Sequence, residues 1–138
     1  MSAAQKQTSH DVIETLTLDH TSLAQSIDAF YAAPSAHYRR RVLRRTCAGL
    51  RVHFALEADV FYRDFLVATG DTLSHYVALV NQETVKNIIE EIELADPDDP
   101  SLWERMKELS RLVEHHIEEA EKVDGLFAQV RAAGVCRS

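Results

Sequence analysis

No stretch of this chain approaches the ~20 consecutive apolar residues that cross a bilayer. Met1 to Thr8 also lacks the basic and then apolar order of an export signal. A membrane span is excluded on this reading, and a cytoplasmic location is expected. Cysteine is scarce: Cys47 falls inside an expected helix and Cys136 in the C-terminal tail. That placement offers neither a disulfide framework nor a Cys-x-x-Cys metal spacing, and both are expected as free thiols. With only 4 glycines and 3 prolines the backbone has few breaking points, and 46% hydrophobic against 27% charged residues is the balance of a globular chain rather than a disordered one. Positive charge is in deficit. The formal net charge of −7 counts against a nucleic-acid ligand and suits a neutral or cationic partner, a metal ion included. Missing too are a Ser-His-Asp ordering, a Gly-rich phosphate loop and a basic patch interleaved with aromatics, so hydrolase, nucleotide and nucleic-acid functions are without support.

What remains is helical. At 138 residues the chain has room for one domain, 1–138, with its core over about 9–134. Punctuation marks four segments. The first runs from about Ser9 to Ala33, opening on the capping-box spacing of Thr8 and Asp11 and ending against Pro34. A second follows Ser35 and continues to about Thr69, where Gly70 can take a left-handed terminal conformation. The third starts near Asp71 or Thr72 and stops at Asp96-Pro97; the fourth opens at Ser101, with Glu104 three residues on as a capping box, and runs to Gly134. Apolar residues recur at three and four, as Ile13, Leu16, Leu23, Ile27 and Phe30 do in the first segment and Met106, Leu109, Val113, Ala120, Val123 and Phe127 in the fourth. Long helices joined by short connectors must pack antiparallel to bury such stripes, which predicts an all-α, up-down-up-down four-helix bundle.

Polar residues interrupt the stripes. His20 lies between Leu16 and Leu23, His53 and Glu57 sit one turn apart beside Leu50, Phe54 and Phe61, and His116 lies between Val113 and Ala120. A lone histidine on an apolar face is more often a hydrogen-bonded core residue than a ligand, and the Glu118–Glu121 run reads most simply as a solvated acidic face. Repetition points further. His-x-x-x-Glu occurs at His53/Glu57 and again at His115/Glu119, a spacing that lets imidazole and carboxylate chelate one metal from one helix face. A buried ionised glutamate, moreover, costs several kcal/mol unless it is paired or holds a cation.

These residues carry a family resemblance. Leu16-Thr17-Leu18-Asp19-His20, His53 through Tyr62, and Val113 through Glu119 resemble, in order and spacing, the bacterial hemerythrin-like HHE cation-binding domains, over about Val12 to Gly134. The resemblance implies a four-helix bundle around a di-iron or other non-haem metal site, bridged by carboxylates, that binds dioxygen or nitric oxide or handles redox or iron stress. Its third helix should bring a histidine, where this chain has Gln82 on the stripe of Ala78, Val85 and Ile89. On the fourth helix, His116 faces the stripe but has Ala120 four residues on, whereas His115 with Glu119 completes the motif on a poorer face; His116 with Glu119 is a third pairing. One metal, an asymmetric pair or a decayed site are all left open.

Histidine and carboxylate without thiolate suit iron, manganese or zinc. The expected function is thus a metal-binding carrier or sensor for oxygen, nitric oxide or iron, with His20, His53, Glu57 and His116 as ligands. The competing expectation is a bundle that has kept the fold and lost the metal, an interaction or regulatory module with a protein partner or a second copy of itself. Its docking surface would be the basic run Arg39, Arg40, Arg41, Arg44 and Arg45, which reads otherwise as a solvated helix face. An enzymatic role stands third, with Tyr62 as a donor beside the site.

Overall fold

The computed structural model describes residues 2–96 and 98–135, so the expectations placed on Pro97 and Cys136 lie outside the described residues. Helix α1 spans Ala3–Tyr31 and α2 spans Ala36–Leu56. A π-helical turn, Glu57–Phe61, carries the chain without interruption into α3, Tyr62–Thr69. After Gly70 come α4, Thr72–Leu94, α5, Ser101–Glu121, and α6, Leu126–Val135. The described residues contain no strand, and the helices pack as a bundle, α1 against α2 and α5, α4 against α5, and α6 across α3.

Local chemistry accounts for most of the boundaries. Ser35 and Asp71 each cap a helix by accepting from the backbone N–H three residues on, and Gly70 closes α3 with φ of 66°. The first helix departs from expectation. It begins six residues before Ser9, because Ser2 and Gln5 form the reciprocal capping box, while Thr8 hydroxyl donates back to the Ala4 carbonyl inside the helix. Ser9 is buried instead, its hydroxyl donating to Asp64 at 2.6 Å and tying α1 to α3. At α5 the expected capping box of Ser101 and Glu104 does not form; Pro100 occupies the cap, and Asp99 accepts from the Ser101 N–H.

The fourth segment is not one helix. It breaks over Lys122–Gly125, where Lys122 turns extended at ψ of 163°. Val123, expected on the apolar stripe, is 97% exposed on that corner. Gly125 lets the chain double back: a Cβ there would lie 2.6 Å from the Glu119 carbonyl oxygen and 3.0 Å from that of Ala120. The reversal lays Phe127 and Val130 on α1 and α3 rather than extending α5.

The core divides into two apolar clusters. One gathers Leu23, Ile27, Phe30, Leu50, Phe54, Val85, Ile89, Met106, Leu109 and Val113. Ile13, Leu16, Phe61, Tyr62, Phe65, Ala120, Phe127 and Val130 form the other. Where each long helix passes from one cluster to the other it carries polar residues at or beside the change: His20 on α1, His53 and Glu57 on the α2 rod, Gln82 on α4 and His116 on α5. A polar layer thus crosses the middle of the bundle.

Candidate metal centre

Burial in that layer is nearly complete. His20, His53, Glu57 and Gln82 are all buried, Glu57 to 1% exposure, and His116 is 15% exposed. The π turn begins at Glu57. By admitting one more residue per turn, such a distortion re-aims side chains locally, and it recurs at functional sites. Here His53 on the last regular turn and Glu57 on the first wide one face the same point, 3.3 Å apart from Nε2 to Oε2.

Four donor atoms converge there. His20 Nε2 lies 3.1 Å from His53 Nε2, His116 Nε2 lies 2.9 Å from Glu57 Oε2, and one ligand atom from each of the four side chains falls within 4.8 Å of all the others. On the outward edges of two rings, carboxylates accept from Nδ1: Glu121 from His20 at 2.5 Å, and Asp19 from His53 at 3.2 Å. In a neutral imidazole, a proton placed on Nδ1 in this way leaves Nε2 as a lone pair able to face a cation. His116 Nε2 is shielded from solvent and faces Glu57 Oε2. Imidazole nitrogens and a carboxylate oxygen this close together are stabilised by a positive charge among them, whether a shared proton or a metal ion.

The electrostatics agree. Burial pushes the Glu57 carboxyl up, yet hydrogen bonding to His116 and His53 outweighs it and brings the group down to about 2. For His53, burial lowers the imidazole and the Glu57 and Asp19 carboxylates more than restore it, leaving it raised. His20 is lowered, by burial first and by the neighbouring imidazoles, against the pull of Glu121. The opposite oxygen, Glu57 Oε1, accepts from the Gln82 amide at 3.1 Å, and the same Gln82 nitrogen donates to the Phe54 carbonyl at 3.1 Å. Tyr62 beside them is held as a neutral phenol, raised by burial and by the Glu57 charge. A cavity of about 80 Å³ adjoins the layer, walled by apolar Phe54, Val85, Leu112 and Leu126 and by polar groups that include Gln82, His116, His115 and Glu119.

Of the residues singled out from sequence, the fold brings together His20, His53, Glu57 and His116. It turns His115 to solvent and pairs Glu119 with Lys122 at 3.2 Å, so neither joins the cluster; helix α5 presents Val113, His116 and Ala120 inward, and His115 sits a hundred degrees away. Ala120 packs in the second cluster and contributes no donor. Sequence reasoning gave no role to Asp19 and Glu121, since each supports a histidine on another helix or across a hundred residues of chain and no local spacing marks it. Phe127 was read as stripe, and the break before α6 brings its ring parallel to His20, centroids 5.8 Å apart.

Comparison with known proteins adds one finding. The family model for the hemerythrin HHE cation binding domain matches residues 11–125. No curated protein and no solved structure matches the chain.

Proposed function

Since the chain belongs to the hemerythrin HHE cation-binding family, a family of metal-binding helical domains, we propose that it holds one non-haem iron ion between His20, His53, Glu57 and His116 and serves as a carrier or sensor of a diatomic gas. The observation that carries this reading is the convergence of one ligand atom from each of three imidazoles and one carboxylate in a buried layer, with the shielded His116 Nε2 2.9 Å from Glu57 Oε2. Nitrogen–oxygen separations of 2.9 and 3.3 Å are those of neighbouring ligands about 2.0–2.2 Å from a shared cation. Manganese and zinc accept the same donors, and iron is favoured by the gas-sized cavity at the layer's edge.

A single ion follows from Gln82. Its amide occupies Glu57 Oε1, the oxygen a bridging carboxylate would extend to a second metal, and Ala120 leaves α5 without a carboxylate at that level. Glu57 therefore presents only Oε2 to the centre. An iron ion with positions not filled by protein would supply a place for dioxygen or nitric oxide. The protein's own residues do the rest: Asp19 and Glu121 fix the rings of His53 and His20, Phe127 shields His20, and Phe54, Val85 and Leu126 give the adjoining cavity its apolar walls. A bundle that has lost its metal is the second reading, favoured by the same Gln82 and Ala120.

Elemental analysis of untagged protein reconstituted anaerobically with ferrous iron separates the two. About one iron per chain, with an absorption change on adding nitric oxide, is expected; metal content near zero after reconstitution supports the second reading, and two irons per chain contradicts the role given to Gln82. A further expectation concerns the outer carboxylates. Asp19→Asn and Glu121→Gln should each lower iron affinity about 10–100-fold while leaving the fold intact, because both side chains are more than a third exposed. Competitive chelator titration measures this, and unchanged affinity in both variants removes their positioning role.

A further inference from the structure

A second cavity, of about 310 Å³, opens between α2, α4 and α5, at the end of the bundle away from Phe127. That volume falls at the lower end of the ~300–1,000 Å³ typical of small-ligand sites. Its floor is apolar, built from Cys47, Ile92 and Leu102, all buried. Three guanidinium groups, Arg40, Arg44 and Arg51, share its lining with one carboxylate, Glu93. On a chain of net charge −7 this is a local reversal of sign.

The arginines are not equivalent. Arg51 is neutralised by its ion pair with Glu93. Arg40 meets Asp98 only at 3.4 Å, on a surface where such pairs contribute little, and its Nε–H is shielded from water without an acceptor. Arg44 makes no ion pair among the described residues. Two cationic forks therefore stand over a greasy floor with hydrogen-bonding capacity to spare, and a guanidinium fork matches a carboxylate in two parallel bonds.

We propose that this cavity binds a small amphipathic carboxylate, its acid group held by Arg40 and Arg44 and its hydrocarbon body lying on Cys47, Ile92 and Leu102. The shape of the lining argues against a bare inorganic anion, which gains nothing from the apolar floor. It argues equally against a flat lipid surface, which has no means of filling a concave site. The basic run of α2 gains a role here that belongs to two of its members, while Arg39, Arg41 and Arg45, which do not line the cavity, stay outside it.

Octanoate is a suitable probe, with octanamide, inorganic phosphate and phosphatidylglycerol vesicles as controls, each titrated calorimetrically into the full chain. Saturable one-to-one binding of octanoate is expected, weakened about tenfold in Arg44→Gln by loss of a charge-assisted pair. Ala48→Phe, at an exposed position on the cavity wall, should block it by bulk without disturbing the core. No saturable binding of octanoate overturns the proposal, as does binding indifferent to both substitutions. Phosphate or octanamide binding as tightly as octanoate overturns it too, and binding seen only with vesicles assigns the basic face to membranes instead.

Discussion

Glu57→Gln should lose stoichiometric iron, with affinity falling by more than the about 10–100-fold expected for the outer carboxylates. The substitution keeps the shape of the side chain and its partner Gln82, but it removes the anionic oxygen that faces His53 and His116. The other three side chains of the cluster are imidazoles, and the carboxylates of Asp19 and Glu121 reach only their outer nitrogens, so a cation would be left without an anionic ligand in a buried site. His53→Ala should match it. Retention of a full equivalent of iron by either variant would place the metal elsewhere. The metal-free protein gives an independent readout of the same carboxylate. Its pKa of about 2, against an ordinary 4.5, means that the folded chain resists taking up the proton. The stability this supplies, roughly 3 kcal/mol, is complete above about pH 4.5 and is lost as the pH falls toward 2. Histidines act at higher pH and in opposite senses: the raised His53 contributes below its ordinary 6.5 and fades as the pH rises, whereas the lowered His20 contributes above 6.5 and fades as it falls. Denaturant midpoints measured from pH 7 down to 3 should therefore drop more steeply in the wild type than in Glu57→Gln. Parallel curves for the two proteins would show that Glu57 is not held ionised.

Gly125→Ala should lower the melting temperature by about 3–10 °C, a large effect for one methyl group on a helix connector. The added carbon would meet the carbonyl oxygens of Glu119 and Ala120, which belong to the last turn of α5 and cannot rotate aside as a side chain would. Relief requires moving the reversal itself, and forcing atoms into a filled space costs about 1–3 kcal/mol, which corresponds to that shift in a chain of this size. Phe127 and Val130 enter the second cluster only through this reversal, so the strain spreads to the packing over His20. Scanning calorimetry measures the change. A melting temperature within a degree of wild type would mean that the connector adapts freely.

How far the sequence could be read depends on the range of the interaction concerned. Helix faces rest on period alone, which is why His20 between Leu16 and Leu23, and His116 between Val113 and Ala120, could be pointed inward without a structure. Period also misled. Val123 continues the α5 spacing, and only the steric demand at Gly125, a contact within a corner, reveals that the helix has already ended. Thr8 with Asp11 has cap spacing, yet the helix starts at the Ser2 and Gln5 capping box, and Ser9 is buried against Asp64 in a distant helix. The π turn at Glu57 left no mark in residue type, since it widens the ladder without glycine or proline. The support that Asp19 and Glu121 give was not legible for a similar reason: the histidines they hold lie across the bundle, and on its own helix Glu121 reads as one of a run of solvated acids.

Splitting the interior into two greasy compartments has a consequence for motion. Each long helix passes through a seam of polar side chains midway, so contacts on one side of the seam do not directly reinforce those on the other. The half containing α6 and the half containing Trp103 would then open as separate cooperative units. A metal held as proposed at the seam, by α1, α5 and the rod that begins with α2, would belong to both halves at once and act as a rivet, stabilising each against opening.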